Sequence, residues 1–429
     1  MRILKIIHGY PQLYNAGSEV YSQSICNELN KKHDIIILTR EENLYEVDHE
    51  IRHEIVEEID FYFVNKARDK DGYKHIDLDK KFADLLEIIK PDIAHIGHLN
   101  HLSTGFIEAL KKQNIPIVFT LHDFWLMCPR GQFLQINFGN KAFYQLCEGQ
   151  NDRKCAINCY NRYFSGQQDD AERDVTYWEN WVHTRMNDTK NVVEKVAIFI
   201  APSRYLLNRF VDDFNVPKDK ITYLDYGFPT HYLSPIVDKK NTIFTFGYIG
   251  THIPAKGINQ LIEAFSTIKV KARLIIFGRD NGQSTLQLKE LALKSFNKIE
   301  FKGEYINKNL TTDVFSQVDC IVVPSIWAEN SPLVIHEAQA CHIPVITANI
   351  GGMAEYVKHL ENGLLFTQRN VESLIEQMNF AINNPDLMEK MGEIGYLQNE
   401  SGLVPTIKQH CEQLELIYQQ AIQQNDLTK

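Results

Sequence analysis

The chain has 429 residues, a formal charge of −10 from 45 Lys and Arg against 55 Asp and Glu, and a hydrophobic content of 44%. This length is enough for two or three domains with sizeable cores. The acidic balance argues against a nucleic-acid binder, because such proteins draw much of their affinity from basic side chains that contact phosphates. No apolar stretch reaches the ~20 residues that a membrane-spanning helix needs, so we expect a cytoplasmic protein.

The first half of the chain alternates short β-branched runs with helical stretches. Buried strands are predicted at 3–7, 34–40, 92–98, 115–123 and 196–203. One of the helices between them covers 80–90 and ends at Pro91, since proline cannot continue a helix. Strands that alternate with helices favour parallel pairing, and the pattern predicts a doubly wound α/β sheet.

The second half repeats this alternation after a proline-containing stretch at 228–242 that we interpret as a linker. Its predicted strands are 242–250, 272–278, 298–303, 319–325 and 343–349. We therefore predict two Rossmann-like domains, 1–235 and 236–402, that face a cleft. The segment 403–429 is predicted to form a terminal amphipathic helix that packs back on the first domain.

Residues 128–195 interrupt the alternation and are rich in Cys, Asn, Gln, Tyr and Trp, which predicts an insertion that ends in a long helix. Half of the eight cysteines of the chain lie there: Cys128, Cys147, Cys155 and Cys159. Clustered thiolates bind zinc well, and a C-x3-C pair presents two ligands from one helical turn. Three interpretations stay open at this point: a structural zinc site, unligated thiols, and an iron–sulfur cluster or redox pair.

The aromatic residues of the insertion allow two interpretations. They could line an acceptor-facing or lipid-facing surface, but their helical spacing is more typical of packed core. The surface interpretation concerns Tyr160, Tyr163, Phe164, Trp178 and Trp181, and the core interpretation concerns the helically spaced Tyr177, Trp178 and Trp181.

The segment PSIWAENSPLVIHEAQACHIPV (324–345) contains the sharpest motif. A strand ends at Ser325, a polar loop follows, and Ser331 with Pro332 predicts an N-cap and a first helical position. Glu329 lies in the loop and Glu337 lies inside the helix. A helix N-terminus binds phosphate and carboxylates bind sugar hydroxyls, so the pair fits a phosphorylated sugar. Two solvated glutamates near a helix start are the plainer alternative.

This segment resembles the E-x7-E signature of the retaining glycosyltransferases of family 4, which have the GT-B fold of two facing Rossmann-like domains. The resemblance extends over most of the chain. Its other matching segments are NAGSEV (15–20), TLHDFW (120–125), APSRYL (201–206), FGYIGTHIPAKGINQLIEAF (246–265) and GGMAEYV with NGLLF (351–366). Their order and spacing carry the resemblance, since each motif alone is unspecific.

The resemblance implies a donor site in the second domain. Lys256 would neutralise the donor diphosphate as charge develops on it, although a lysine here could also be an ordinary exposed side chain. Glu329 would contact the transferred sugar and Glu337 the ribose. Backbone groups would hold the phosphates and let the nucleotide approach: Gly17, Gly250, Gly278, Gly303, Ser331, Leu333 and Val334.

One position departs from the family pattern. Thr251 stands where the family usually has an arginine, and we expect His252 or Arg279 to compensate for the lost cation. On the first domain, His122 matches a strand-end histidine that would lie under the donor sugar. A purely structural histidine is the alternative. Asp123 would orient His122 or bind the acceptor, and Glu19 lies on the same acceptor side.

The residues and the resemblance together predict a metal-independent transferase that needs no cofactor for catalysis. It would move a sugar from a UDP-, GDP- or similar donor to a hydroxyl of a glycan or lipid-linked glycan, in bacterial surface polysaccharide synthesis. We expect it in the cytoplasm, with peripheral contact to the inner membrane face. The alternatives are a GT-B nucleotide-sugar 2-epimerase and a catalytically silent scaffold subunit.

Overall fold

The computed structural model describes residues 1–11, 13–66, 72–136, 144–166, 170–236 and 242–427. Its contacts divide the chain into two compact units. The first comprises Met1–Gly227 and Ile407–Lys429, and the second comprises Phe228–Thr406. The terminal segment thus belongs to the first unit although the second unit precedes it in the sequence.

The first unit contains ten strands and seven helices among its described residues. The strands are β1 (Arg2–Ile7), β2 (Asp34–Glu41), β3 (Ile51–Val56), β4 (Ile59–Asn65), β5 (Ile93–Ile96), β6 (Ile117–Thr120), β7 (Leu134–Gln135), β8 (Gln145–Leu146), β9 (Ile198–Ala201) and β10 (Ile221–Tyr223). The helices are α1 (Gly17–Leu29), α2 (Ile76–Ile89), α3 (Phe106–Lys112), α4 (Asp152–Cys159), α5 (Ala171–Lys195), α6 (Arg204–Asp212) and, at the end of the chain, α13 (Ile407–Leu427).

Eight of these strands form one sheet in the order β10-β9-β6-β5-β1-β2-β4-β3. All its pairings are parallel except the one between β3 and β4. The inner strands β1, β5, β6 and β9 are buried along almost their whole length. This explains their continuous apolar sequences, because parallel strands covered on both faces need no polar side.

Helix α13 forms polar contacts with the rest of the first unit through three of its turns. The Tyr418 hydroxyl lies 2.6 Å from His95 Nδ1, and the Asn425 amide donates to the Asn114 carbonyl at 2.8 Å. His410 Nε2 lies 2.8 Å from the Tyr21 hydroxyl. The helix begins at Ile407, after Pro405, rather than at the predicted residue 403.

The insertion carries the β7–β8 hairpin and helices α4 and α5, and α5 confirms the long helix predicted at its end. Residues 137–143 and 167–169 of the insertion lie outside the described residues. Its aromatic side chains pack on one another: Trp178 is buried, and its ring stacks at 4.8 Å on that of Tyr160 and at 5.2 Å on that of Tyr163. These contacts support the core interpretation for Trp178, whereas Tyr177 is 62% exposed.

The second unit contains six strands and six helices among its described residues. The strands are β11 (Thr245–Ile249), β12 (Arg273–Phe277), β13 (Lys298–Gly303), β14 (Cys320–Val323), β15 (Val345–Ala348) and β16 (Gly363–Phe366). The helices are α7 (Ile258–Thr267), α8 (Gln283–Ala292), α9 (Leu310–Asp313), α10 (Leu333–Ala340), α11 (Val371–Asn383) and α12 (Pro385–Ile394).

The six strands form an all-parallel sheet in the order β13-β12-β11-β14-β15-β16. This is the order 3-2-1-4-5-6 of the nucleotide-binding doubly wound fold, in which ligands bind outside the carboxyl ends of the strands where the order reverses. The reversal falls between β11 and β14 here, and between β1 and β5 in the first unit. The predicted fold class, two parallel-sheet α/β domains, is confirmed.

Candidate active site

Three glycines lie side by side at the carboxyl edge of the second sheet. The Gly278 N–H donates to the Gly303 carbonyl at 2.7 Å, and the Gly250 N–H donates to the Phe277 carbonyl at 3.2 Å. A Cβ on Gly278 would stand 2.0 Å from the Gly250 carbonyl oxygen, so a side chain cannot be accommodated there. The structure therefore brings together three glycines that the sequence predicts to bind the donor.

The loop that follows β11 packs against the loop that follows β14, at the point where the strand order reverses. Gly257 has φ of +69°, and a Cβ on it would stand 1.9 Å from the Pro324 carbonyl oxygen. The Ile326 N–H donates to the Ala255 carbonyl at 3.0 Å. This close approach places the side chain at position 256 beside the polar segment after β14.

Lys256 and Glu329 form an ion pair in this position. Lys256 Nζ lies 2.7 Å from Glu329 Oε2, and the Glu329 side chain is only 8% exposed whereas that of Lys256 is 29% exposed. The Ser325 hydroxyl donates to the other carboxylate oxygen, Oε1. A nearly buried carboxylate and a more accessible cation thus meet at the strand ends, where a ligand can bind the cation and the carboxylate can accept hydrogen bonds from hydroxyl groups.

Helix α10 begins one residue later than the sequence predicts. Pro332 is the N-cap, with φ of −64° and ψ of 119°, and Leu333 is the first helical residue. The prediction that Ser331 is the N-cap was wrong, because the extended ψ of Pro332 keeps that residue outside the helix. Leu333 and Val334 occupy the first turn, where backbone N–H groups have no partner within the helix.

Glu337 lies on the fifth residue of α10. Burial raises the pKa of Glu337 to about 7, and the neighbouring His336 acts in the opposite direction. Burial, together with the charge of Glu337, raises the pKa of the Tyr305 and Tyr232 hydroxyls. A carboxyl group that titrates near neutral pH is a perturbed group of the kind found at functional sites.

Thr251 itself carries no charge, and the two expected substitutes for the family's arginine differ in their exposure. The Tyr248 hydroxyl donates to the Thr251 carbonyl at 3.3 Å. His252 is buried with its Nδ1 3.1 Å from the Thr285 hydroxyl, and burial lowers the pKa of His252. The backbone N–H of His252 donates to the backbone carbonyl of Arg279, whose side chain is exposed. Of the two expected substitutes, Arg279 is therefore the more accessible cation.

The glycine-rich loop of the first unit leads into α1, whose first residue is Gly17. Glu19 is buried in the first turn of this helix. It accepts a hydrogen bond from the Ser18 hydroxyl at 2.8 Å, and its Oε1 lies 3.4 Å from His8 Nε2. Burial lowers the pKa of His8 well below its usual value, so this contact joins a carboxylate to a neutral imidazole at neutral pH.

His122 follows β6, and its ring is held by a residue that the sequence analysis missed. Its Nδ1 lies 2.6 Å from the Tyr226 hydroxyl, and its Nε2 has no hydrogen-bond partner among the described residues. Burial lowers the pKa of His122 well below its usual value, and the charges of Lys5 and His98 act in the same direction. A neutral imidazole with one unpaired nitrogen can receive a polar group of a ligand.

Asp123 pairs with His98. Its Oδ2 lies 3.4 Å from His98 Nε2, and its Oδ1 accepts the Trp125 N–H at 2.7 Å. The ring of His98 also contacts that of His8, with centroids 4.3 Å apart. No sequence motif pointed to Tyr226 or His98, although His98 ends a predicted strand and so could have been expected at the carboxyl edge.

The four insertion cysteines are free thiols. Cys147 Sγ donates to the Gly149 carbonyl at 3.0 Å. Burial raises the pKa of Cys155 to about 12 and that of Cys159 to about 11, and it raises the pKa of Cys128 as well. Among the residues that the structure describes, no three His, Cys, Asp or Glu side chains are grouped as a metal ion requires. The geometry gives no support to the zinc hypothesis, which stays a prediction.

Comparisons with known proteins place both units in one family. Residues 16–231 match the family described as "Glycosyltransferase Family 4", and residues 234–398 match "Glycosyl transferases group 1". The chain is 24% identical over 255 residues to the capsular polysaccharide biosynthesis glycosyltransferase CapM of Staphylococcus aureus, an alignment that covers 55% of the chain and 66% of that protein. The first four curated relatives are covered over 42% to 66% of their lengths.

Solved structures resemble the chain over nearly its whole length. HepE of Anabaena in complex with UDP and glucose has a TM-score of 0.68 at 15% identity, with 97% of this chain and 99% of that one covered. Sucrose-phosphate synthase of Thermosynechococcus elongatus has a TM-score of 0.67 at 17% identity, with 98% of each chain covered. In the described part of the chain, no helix combines the length and apolarity needed to cross a bilayer. The chain belongs to glycosyltransferase family 4 and has the GT-B fold.

Proposed function

We propose that this protein transfers a sugar from a nucleotide-diphosphate donor to a hydroxyl of a glycan or lipid-linked glycan, with retention of the anomeric configuration. The observation that supports this most is the Lys256–Glu329 pair at the strand-order reversal of the second sheet. A cation for the diphosphate and a carboxylate for the sugar hydroxyls stand together where this fold binds nucleotides.

The donor in this proposal is a UDP-sugar or a related nucleotide sugar. The HepE structures that resemble the chain contain UDP, UDP with glucose, and UDP-glucose. Gly250, Gly278 and Gly303 would let the nucleotide approach the backbone, and Glu337 would accept hydrogen bonds from the ribose hydroxyls. The amides of Leu333 and Val334 would receive the phosphates, since a helix N-terminus favours anions.

The proposed reaction exchanges bonds on one face of the sugar. The bond from C1 to the diphosphate oxygen breaks, the bond from C1 to the acceptor oxygen forms on the same face, and the acceptor proton passes to the departing phosphate. Lys256 would stabilise the negative charge that grows on the diphosphate, which is the main electrostatic demand of this step. The proposed reaction uses no protein nucleophile and no metal ion.

The first unit would contribute to the sugar and the acceptor. In this proposal His122 uses its unpaired Nε2 to place the transferred sugar, and Glu19 and Asp123 lie on the acceptor side. Because CapM is named for capsular polysaccharide biosynthesis, we propose surface polysaccharide synthesis as the setting. The protein would act in the cytoplasm, with peripheral contact to the inner membrane face that presents lipid-linked acceptors.

The test is a nucleotide-release assay over UDP-, GDP-, dTDP-, ADP- and CMP-sugars with the wild type and Glu329→Ala. We expect one donor to be consumed by the wild type, and we expect Glu329→Ala to abolish turnover while nucleotide affinity stays within about threefold of wild type. The exposed Glu372→Ala is the matched control and should behave as wild type. Equal loss of nucleotide binding and turnover in Glu329→Ala would instead make Glu329 a structural or ribose-side residue.

Two further measurements with the same donors, a search for the epimer and the melting temperature of the protein, separate the alternatives. A 2-epimerase would convert the donor reversibly to its epimer without an acceptor. A silent scaffold would neither consume any donor nor be stabilised by one, although a ligand that binds the folded state raises the melting temperature.

A further inference from the structure

Two loops of the second unit expose large apolar side chains at the amino ends of neighbouring strands. One loop, 268–272, connects α7 to β12, and the other, 293–297, connects α8 to β13. Val270 is 50% exposed, Leu293 is 86% exposed and Phe296 is 78% exposed. The strands that follow the two loops are neighbours in the sheet, and apolar side chains exposed on one surface mark an interaction site more often than a scattered apolar residue does.

The buried side chain of Asn297 holds the two loops together. Its amide nitrogen donates to the carbonyls of Ile268 and Val270 at 2.9 Å each, and its oxygen accepts the Ala272 N–H at 3.2 Å. The strands that follow are paired, with Arg273 opposite Lys298. The exposed apolar side chains therefore lie on two loops, 268–272 and 293–297, that are hydrogen-bonded to each other.

The same two loops, with the first residue of β13, are basic, whereas the chain as a whole is acidic. Lys269 and Lys271 flank Val270, and Lys294 and Lys298 stand on either side of Phe296; all four are exposed. Neither 268–272 nor 293–298 contains an Asp or Glu. Glu300 pairs with Lys298 at 3.1 Å, so the other three lysines carry most of the positive charge of the surface.

We infer that this basic apolar surface, formed by residues 268–272 and 293–298, docks on a lipid bilayer that carries anionic head groups. A lysine near an anionic membrane strengthens partitioning by about fivefold, and exposed Leu and Phe side chains insert between head groups and acyl chains. The charge of the surface is complementary to anionic lipid and opposite to that of the chain as a whole, which carries −10. The inference deepens the proposed membrane contact by assigning it a surface and a lipid chemistry.

This assignment is compatible with donor binding. The loops lie at the amino ends of β12 and β13, whereas Gly278 and Gly303 lie at the carboxyl ends of the same two strands. Docking through the loops would therefore leave the candidate donor edge of the second sheet uncovered.

The test is vesicle flotation of the full-length protein with phosphatidylcholine vesicles and with vesicles that also contain phosphatidylglycerol. We expect the wild type to float only with the anionic vesicles and to be released by high salt. The double variant Lys269→Glu/Lys294→Glu should lose at least about thirtyfold in partition coefficient, since it removes two cations and adds two anions. Phe296→Ser should weaken binding with all charges unchanged.

A second double reversal, Lys308→Glu/Lys390→Glu, is the matched control because both lysines are exposed in the same unit. It should bind anionic vesicles as the wild type does. The inference is overturned if the wild type ignores anionic vesicles, if it binds neutral vesicles equally well, or if the two double variants lose binding to the same extent. A change of oligomeric state in Lys269→Glu/Lys294→Glu, seen by light scattering, would overturn it in favour of an interface between copies.

Nucleotide release measured without vesicles separates this inference from the proposed reaction. We expect Lys269→Glu/Lys294→Glu to keep wild-type release, because neither lysine belongs to the candidate active site. Failure of the proposed function would appear as absent release in the wild type, whatever the outcome of the flotation assay.

Discussion

We predict that the pKa of Glu337 makes donor affinity depend on pH in a range that is easy to measure. Burial raises this pKa to about 7. A carboxylate accepts hydrogen bonds from two ribose hydroxyls, whereas a protonated carboxyl group has one oxygen committed as a donor. If Glu337 binds the ribose as proposed, the donor selects the ionised form, and affinity falls as the pH falls through 7.

The magnitude follows from the ionised fraction. With a pKa of about 7, roughly nine-tenths of the molecules carry an ionised Glu337 at pH 8 and roughly one-tenth at pH 6. Because apparent affinity scales with the fraction of binding-competent protein, the dissociation constant should rise about tenfold from pH 8 to pH 6, or about 1.4 kcal/mol. Glu337→Gln should bind more weakly than the wild type at pH 8 and should show no such slope.

Calorimetric titration with UDP-glucose at pH 6, 7 and 8 measures this effect, since the diphosphate of a nucleotide sugar keeps its full charge over the range. If UDP-glucose is not the donor, the nucleotide sugar found in the release assay takes its place. The exposed Glu372→Gln controls for a general loss of negative charge and should keep the wild-type slope. A flat wild-type profile, or an equal slope in Glu337→Gln, would refute the ribose role of this carboxyl group.

Three further predictions concern stability and metal content. Lys5 is fully buried with no hydrogen-bond partner for Nζ among the described residues, and burial lowers its pKa to about 8. Because the folded state holds a poorly solvated charge below that pH, Lys5→Met should raise the free energy of unfolding at pH 7 by up to about 3 kcal/mol. Urea titrations should show this gain shrinking between about pH 8 and about pH 10.5. A destabilised Lys5→Met at pH 7 would contradict this. Gly257→Ala should lower the free energy of unfolding by at least about 2 kcal/mol, because φ is +69° and the added Cβ meets the Pro324 carbonyl. Gly282→Ala adds a Cβ in open space at φ of +53° and should lower it less. Equal losses in the two variants would show that the contact with Pro324 has no effect. If the insertion cysteines bind zinc, elemental analysis should find about one zinc per chain, less in Cys155→Ser but not in Cys320→Ser, and a folded protein free of metal would end that hypothesis.

Most inner strands of the two sheets were predictable from the sequence, although the inner strand β4 (Ile59–Asn65) was not predicted. Runs such as 34–40 and 115–123 are apolar on both faces, as strands of a covered parallel sheet must be. The edge strand β3 was missed since four of its six residues are exposed and its sequence, IRHEIV, looks like an ordinary polar segment. β16 was missed as well, because its four residues begin with a glycine that predicts a turn.

The site was predictable residue by residue but not as a set of contacts. The motifs pointed to Lys256 and Glu329 separately, and their ion pair depends on how closely the backbone at Gly257 approaches Pro324, which no periodicity encodes. The partner of His122 is Tyr226, 104 positions away in a stretch without a motif. Such contacts arise from tertiary packing, so a single sequence does not contain a local signal for them.

The central claim, sugar transfer from a nucleotide donor with retention, is tested most directly by proton NMR of the reaction in real time. The donor found in the release assay is followed by its anomeric proton, with a glycan acceptor or, in its absence, with water. We predict that the donor signal falls as free nucleotide appears and that the first product formed has the anomeric configuration of the donor. A first product of opposite configuration would contradict retention, and an unchanged spectrum with every donor would contradict the transferase proposal itself.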